Sequence, residues 1–330
     1  SPSSAASDVY KRQVLYFEVQ KSPDLARQFL KYLSIIEKMG HIAVMKDAGE
    51  YARIHIVPFV KRPKSPRRDI LITIGSLVAT LLTIGLAGYM FGHGDPFIVV
   101  TYMLAMISII MLHEMGHYVF SRLSGLDVST PVFLPGIPQI GGTFGALIRM
   151  RGPPKTRTQM LLVGFSGPIV GFIVALIVSI IGLSWSQVVD IENLGEGVIP
   201  LPSPLIFYPL IQLIHGGIGA NKAIILHPVA FAGWVGMIIT FLNLTPIGQL
   251  DGGHIFRAVL SEKAFRATSL LFIALLFITG WVFMGIFALF VMNNPGPLDD
   301  VTRPSKKMLI IPILALLIWI LSGTWHLAFL

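Results

Sequence analysis

Apolar residues fill six long runs of the chain after residue 69, and short polar or glycine-rich loops separate the runs. About 20 consecutive apolar residues cross the hydrocarbon core of a bilayer as a helix. The pattern therefore predicts an all-α polytopic membrane protein with about six transmembrane helices. The predicted spans cover residues 70–91, 97–122, 158–183, 223–246, 265–292 and 308–329.

The first 69 residues show a different pattern, in which short strand-like and helical segments alternate. Residues 14–19 read as a strand, residues 22–40 as an amphipathic helix, and two further strands flank a turn at residues 47–50. Residues 14–69 are thus predicted to be a small cytoplasmic βαββ domain, a soluble α+β unit, followed by a basic linker. Residues 1–13 are small and polar, and we expect a disordered or non-native leader there.

Composition supports the membrane assignment and limits the kind of site. Only 13% of residues are charged and the mean hydropathy is +0.74, whereas about a quarter of residues are charged in soluble proteins. The sequence contains no cysteine, so a metal site must use His, Asp or Glu ligands.

The positive charge is concentrated before the first predicted span. The net charge is +8, and 13 of the 25 Lys and Arg residues lie in residues 1–69. This placement indicates an anchor that faces lipid headgroups on the cytoplasmic side rather than a nucleic-acid groove. The basic residues of the loops place both termini in the cytoplasm, although the basic loop at 303–307 disagrees. We expect a multi-pass protein of the plasma membrane.

The second predicted span contains the sequence HEMGH, residues 113–117. His113 and His117 are four residues apart, so on a helix they share one face and can both reach one cation. An ionised Glu114 within the membrane costs about 2.5–3.5 kcal/mol on insertion scales, and a bound zinc ion would compensate for it. Glu114 could then act as a general base toward an activated water. The alternative is a pair of histidines that hydrogen-bond between helices.

A third ligand is expected from the end of the fourth apolar run. Asp251 follows a break at Pro246 and Gly248, and irregular backbone at membrane depth is tolerated only where protein or a water-filled cavity satisfies it. Asp251 is the natural candidate, with His254 and Glu262 as rivals. A helix cap at the membrane surface is the other interpretation of Asp251.

The combination of HEMGH with NLTPIGQLDGG, residues 243–253, resembles the site-2 protease family of intramembrane zinc metalloproteases. That family pairs HExxH with N-x-x-P-x-x-x-L-D-G. The resemblance covers most of residues 70–300 and is greatest to archaeal and plastid members that lack a PDZ domain. Residues 164–171, GFSGPIVG, lack an asparagine found in many PDZ-bearing relatives, which argues only against that subgroup.

The resemblance implies a role for each matching residue. Glu114 would be the general base, and Asn243 would stabilise the oxyanion; a hydrogen bond at a helix interface is the alternative for Asn243. One zinc ion per chain would be held by His113, His117 and Asp251.

Residues 135–150 form a glycine-rich apolar loop that resembles the re-entrant hairpin of the family. Such an edge could bind an unwound substrate as an added strand. The residues expected to contact substrate are Gly142, Thr143, Phe144 and Gly145. The alternative is a structural loop at the membrane interface.

The implied activity is hydrolysis of peptide bonds within the transmembrane segments of membrane-anchored proteins. One alternative is another membrane zinc protease, of the CAAX-protease or HtpX-like kind, whose third ligand is a glutamate. A second alternative is a metal or proton carrier, although its ionisable groups would be distributed over several spans. No role is predicted for residues 293–304, where Asp299 and Asp300 are interpreted as solvated loop residues.

Overall fold

The computed structural model describes residues 15–59, 65–194, 199–219 and 221–325. The predicted leader at 1–13 lies outside the described residues.

The N-terminal unit is a three-stranded antiparallel sheet covered by one helix, as the sequence predicts. Its sheet has the order β1-β3-β2, so β1 and β2 form the edges. Apolar residues of the helix face the sheet at a spacing of four, with Leu25, Phe29 and Leu33 all buried. The elements are β1 (Leu15–Gln20), α1 (Leu25–Lys38), β2 (His41–Ala48) and β3 (Tyr51–Pro58).

Three helices of the described chain are long and apolar enough to cross a membrane. They match the first three predicted spans and are α2 (Pro66–Phe91), α3 (Pro96–Leu123) and α4 (Arg157–Ser184). Prolines occupy the first turns of α2 and α3, where the missing N–H has no helical partner to lose. The protein is therefore mostly helical with a small N-terminal sheet unit.

The remaining apolar runs form shorter helices. The prediction of a single helix over 265–292 is wrong, because the chain turns at Gly280, which has φ +83°, and Trp281 N donates to Leu276 O at 2.8 Å. This Schellman-type turn ends one helix and starts another. The helices after α4 are α5 (Phe207–His215), α6 (Pro228–Leu244), α7 (Asp251–Val259), α8 (Glu262–Ile278), α9 (Val282–Val291) and α10 (Ile310–Ser322).

Helix α4 lies at the centre of the helical body and packs against α3, α6 and α7. Glycines permit this close packing: a Cβ on Gly116 of α3 would lie 2.4 Å from Ser166 O of α4, and one on Gly182 would lie 2.1 Å from Ala230 N of α6. The described chain also contains two two-stranded antiparallel sheets, namely the hairpin β4–β5 (Val132–Pro135 and Thr143–Leu147) and the pair β6–β7 (Gln187–Asp190 and Lys222–Ile225), whose strands are separated by α5.

Candidate metal centre

Helix α3 directs His113, Glu114 and His117 toward the interior of the helical body, whereas Met115 of the same motif is exposed. His113 and Glu114 are buried, and the side chain of His117 is 13% exposed. The two imidazole rings lie 5.1 Å apart, as the four-residue spacing predicts. Two potential ligands and one carboxylate thus share a protected face of one helix.

Asp251, the first residue of α7, meets both histidines. Its Oδ2 lies 3.4 Å from His113 Nε2 and 3.3 Å from His117 Nε2. All three candidate ligand atoms lie within 4.8 Å of one another. Tetrahedral zinc with bonds of about 2.0–2.2 Å places neighbouring ligand atoms about 3.3–3.6 Å apart, so these residues fit a zinc ion.

The hydrogen-bond partners of the two imidazole rings leave one nitrogen of each ring available to a metal ion. His117 Nδ1 lies 2.9 Å from Val163 O; since a carbonyl oxygen can only accept, Nδ1 carries a proton, and Nε2, on the side of Asp251, is the nitrogen that would bind the ion. His113 Nε2 is buried, and although Asp251 Oδ2 lies 3.4 Å away, no group of the described residues meets it in hydrogen-bond geometry. A buried nitrogen without a partner costs free energy unless a ligand satisfies it.

A row of glycines on α4 makes room for the imidazoles. A Cβ on Gly167 would lie 2.1 Å from His117 Nε2, and a Cβ on Gly171 would lie 2.5 Å from His113 Nδ1. No side chain larger than hydrogen fits these two positions while the rings stay in place. The sequence analysis does not identify these two glycines as part of the site. Their separation of four residues in GFSGPIVG, which puts both on one helix face, is the signal that the sequence offers.

The break before α7 packs backbone against backbone. A Cβ on Gly248 would lie 1.9 Å from Val291 O, and one on Gly252 would lie 2.0 Å from Leu244 O. Gly248 also has φ +47°, a left-handed conformation that favours glycine. The glycines of this segment therefore let the chain reverse sharply enough to bring Asp251 to α3.

A cavity of ≈ 530 Å³ opens beside the three candidate ligands. Most of its wall is apolar, and the polar residues that line it include Glu114, Asn243 and His254. Phe144 and Gly145 of β5 also line it. Such an arrangement, an apolar cleft with a few convergent polar groups, is typical of a substrate site.

The other predicted substrate residues, Gly142 and Thr143, do not line the cavity. Gly142 O accepts a hydrogen bond from Thr83 Oγ1 of α2 at 2.6 Å, and a Cβ on Gly142 would lie 2.5 Å from Thr83 O. Thr143 is buried, and its hydroxyl donates to Leu134 O at 3.0 Å. Both residues therefore hold the β4–β5 hairpin in place.

The rival ligands lie in other environments. Glu262 has a side chain that is 45% exposed, and it pairs with Arg266 at 2.8 Å. His254 lines the cavity, but its Nδ1 faces the Asn294 amide at 3.3 Å. The interpretation of Asp299 and Asp300 as solvated residues is wrong, since they are only 1% and 5% exposed.

Comparison with known proteins identifies relatives that are named as zinc metalloproteases. The chain is 29% identical over 226 residues to "Probable zinc metalloprotease EGY2, chloroplastic" of Arabidopsis thaliana, covering 64% of this chain and 39% of that protein. It is 27% identical over 234 residues to "Probable zinc metalloprotease EGY1, chloroplastic" of the same plant, covering 66% and 42%. It is 27% identical over 184 residues to "Zinc metalloprotease MJ0392" of Methanocaldococcus jannaschii, covering 56% and 41%.

The chain spans about two fifths of the length of these curated relatives. No solved structure matches it significantly. The model of peptidase family M50 matches residues 101–287, which is more than half of the chain and includes both histidines and Asp251. This protein therefore belongs to peptidase family M50, the site-2 protease family.

Proposed function

We propose that this protein is an intramembrane zinc metalloendopeptidase that cleaves transmembrane segments of membrane-anchored proteins. The observation that carries the proposal is the convergence of His113, His117 and Asp251, from two separate segments, beside Glu114 and an apolar cavity. Membership of family M50 supports the same activity.

The three converging side chains would hold one zinc ion per chain. When bound, zinc supplies Lewis-acid activation of water and of the scissile carbonyl. Glu114 takes the proton of the attacking water and delivers it to the leaving amine, as a general base and then a general acid. Its burial beside the histidines and its position on the cavity wall support this role.

Asn243 stabilises the oxyanion that forms when water attacks the carbonyl. It lies on the last turn of α6 and lines the same cavity as Glu114 and Asp251. An oriented amide donor in a water-poor site acts on charge that develops only in the transition state.

Substrate binds along β5 as an added strand. In the described residues β5 pairs with β4 alone, so its second edge can accept an extended peptide. Phe144 is 58% exposed and lines the cavity together with Gly145. Local extension is needed because the carbonyl groups of a helical peptide are engaged in intrahelical hydrogen bonds.

The same proposal includes the arrangement in the membrane. It places about six spans and a re-entrant hairpin within residues 70–330, counting the run at 265–292, which is broken at Gly280, as one of them. Residues 14–69 are the cytoplasmic domain and linker. Three helices of sufficient length and apolarity support a membrane location. The basic residues before α2 support cytoplasmic termini, and the plasma membrane is the membrane proposed.

The test uses Glu114→Gln in the full chain reconstituted with a transmembrane substrate. The variant should bind zinc as the wild type does and lose cleavage, because the amide cannot accept a proton. Glu192→Gln, the same change at an exposed loop position, is the matched control and should cleave normally. Cleavage by Glu114→Gln at the wild-type rate would contradict the assigned role, and a purified wild type without zinc would contradict the proposed function.

A further inference from the structure

The chain after α9 runs alongside α7, the helix that begins with Asp251. We call residues 294–300 the brace. At its start, the Asn294 side-chain amide donates to Gly248 O at 2.7 Å, and its Oδ1 accepts from Gly296 N at 3.1 Å. The same Asn294 nitrogen faces His254 Nδ1 at 3.3 Å. The brace is therefore tied to the turn that precedes Asp251 and to the first part of α7.

At the other end of the brace, Asp300 binds the far end of α7. The Asp300 carboxylate receives two hydrogen bonds from Arg257, at 2.9 and 2.5 Å. Arg257 is fully buried and Asp300 is 5% exposed. Such a bidentate pair fixes both the distance and the orientation of its partners.

Arg157, at the start of α4, joins this cluster. Its Nη2 lies 3.0 Å from Asp300 Oδ1, and its Nη1 donates to Leu260 O at 2.9 Å and to Ala258 O at 3.3 Å. The guanidinium thus satisfies carbonyl groups that the C-terminus of α7 leaves without helical partners. Asp300 connects α4 to α7 through two arginines.

The N-terminal unit holds the brace from the opposite side. Met45 N donates to Leu298 O at 2.7 Å, and Asp300 N donates to Met45 O at 3.0 Å, so the brace extends the sheet at the β2 edge. Leu298 is buried in the core of that unit. Lys46 Nζ reaches Asp300 Oδ2 at 2.8 Å and Pro295 O at 2.8 Å.

We propose that Asp300 is a positioning residue for the metal centre: through Arg257 it fixes α7 so that Asp251 meets the two histidines, and Lys46 of the N-terminal unit holds Asp300 in that position. This inference rests on the proposed function, in which Asp251 is a zinc ligand. If the inference holds, Lys46 of the N-terminal unit influences the position of Asp251 in the metal centre.

The physical connection is short and stiff. Asp251 precedes Arg257 by six residues of one helix, which is about 9 Å. Because a helix of this length moves as a rigid body, a shift at Arg257 also moves Asp251. Without the Asp300 carboxylate, the buried charge of Arg257 lacks its closest partner, and α7 must move for that charge to reach solvent or another carboxylate.

Two variants test the two steps of the inference. Asp300→Asn keeps the shape of the side chain and removes its charge. Lys46→Met removes a side chain that is 30% exposed. It therefore leaves the buried Arg257–Asp300 pair in place. Lys46→Arg keeps the charge and should restore the wild-type result.

Lys21→Met is the matched control. Lys21 lies in the same unit, its side chain is 33% exposed, and it pairs with Asp47 at 2.7 Å. Lys21→Met therefore removes a lysine–aspartate ion pair of nearly the same length as Lys46–Asp300, 2.7 Å against 2.8 Å. In the described part of the chain the Lys21 ammonium bonds to Asp47 and Gly49 O rather than to the brace, so its loss should leave the metal centre unchanged.

The readouts are zinc affinity, by competition with a chelator, and the visible absorption of the cobalt-substituted full chain in detergent. Asp300→Asn should weaken zinc binding by about 10- to 100-fold, the range for residues that orient metal ligands. Lys46→Met should weaken it by roughly 2- to 30-fold, and both variants should alter the cobalt spectrum while Lys21→Met does not. A merely structural role would lower thermal stability and leave the affinity and spectrum of the folded fraction unchanged.

The inference is overturned if folded Lys46→Met, and Asp300→Asn where it folds, bind zinc with wild-type affinity and give the wild-type cobalt spectrum. If Asp300→Asn does not fold, the comparison of Lys46→Met with Lys21→Met and Lys46→Arg decides. A wild type that binds no zinc would instead refute the proposed function, so the two failures are distinguishable.

Discussion

Replacing Gly167 with alanine would place a methyl group against the imidazole of His117. The added Cβ would lie 2.1 Å from His117 Nε2, whereas ordinary contacts begin at 3.4 Å, so the ring or the helix must move by 3.4 − 2.1 = 1.3 Å. Metal–ligand distances tolerate about 0.2 Å. The required displacement is several times larger than this tolerance.

Helix α4 cannot easily retreat from α3 to relieve this clash, because it also packs against α6 and α7 and is in backbone contact with α6 where Gly182 faces Ala230 N. Overpacking of this kind costs about 1–3 kcal/mol of stability. Since His117 is a direct ligand in the proposed site, we expect Gly167→Ala to weaken zinc binding by more than the roughly 100-fold upper range for residues outside the ligand set.

The assay measures zinc content, zinc affinity by chelator competition and thermal unfolding of each purified variant. Gly182→Ala is the matched control, because its Cβ would also lie 2.1 Å from another atom, Ala230 N, on the same helix but outside the cavity lining. It should lower stability and leave the zinc affinity of the folded protein unchanged. Gly85→Ala, which meets only the flexible Met103 side chain at 3.2 Å, should change neither quantity.

A folded Gly167→Ala variant that binds zinc as tightly as the wild type would contradict this prediction. An equal loss of zinc affinity in Gly182→Ala would also contradict it, since the loss would then come from general disruption of α4.

Two further substitutions separate the ligands from the catalytic groups. Asp251→Ala should abolish tight zinc binding while Glu262→Ala retains it, as metal analysis of the purified variants would show; the opposite result would favour a protease with a glutamate ligand. Asn243→Ala should retain zinc and lower kcat by about 10²- to 10³-fold, the range for one oxyanion donor, in a cleavage assay with reconstituted substrate. An unchanged kcat would assign Asn243 to the helix interface instead.

Local sequence patterns predict the histidine-bearing helix face, the N-terminal unit and the chain reversal before Asp251. The four-residue separation of His113 and His117 places them on one helix face wherever the helix lies. The alternating and helical periodicities of residues 15–58 produce the N-terminal unit. The glycines around Asp251 mark a chain reversal because few other residues accept such backbone contacts.

Other features depend on what lies opposite a residue. Gly167 and Gly171 have no side chain, so their spacing alone does not show that imidazoles occupy the space in front of them. The turn at Gly280 interrupts an apolar run whose composition is uniform, which is why the run was interpreted as one helix.

The sequence by itself determined the membrane character of the protein, the helical face that carries two histidines and a glutamate, and the family resemblance. Only the tertiary structure decided that Asp300 is buried, because an aspartate so close to a polar loop is normally solvated. Its partners Lys46, Arg157 and Arg257 come from three distant parts of the chain. Burial of a charge depends on such long-range pairing, and no local pattern records it.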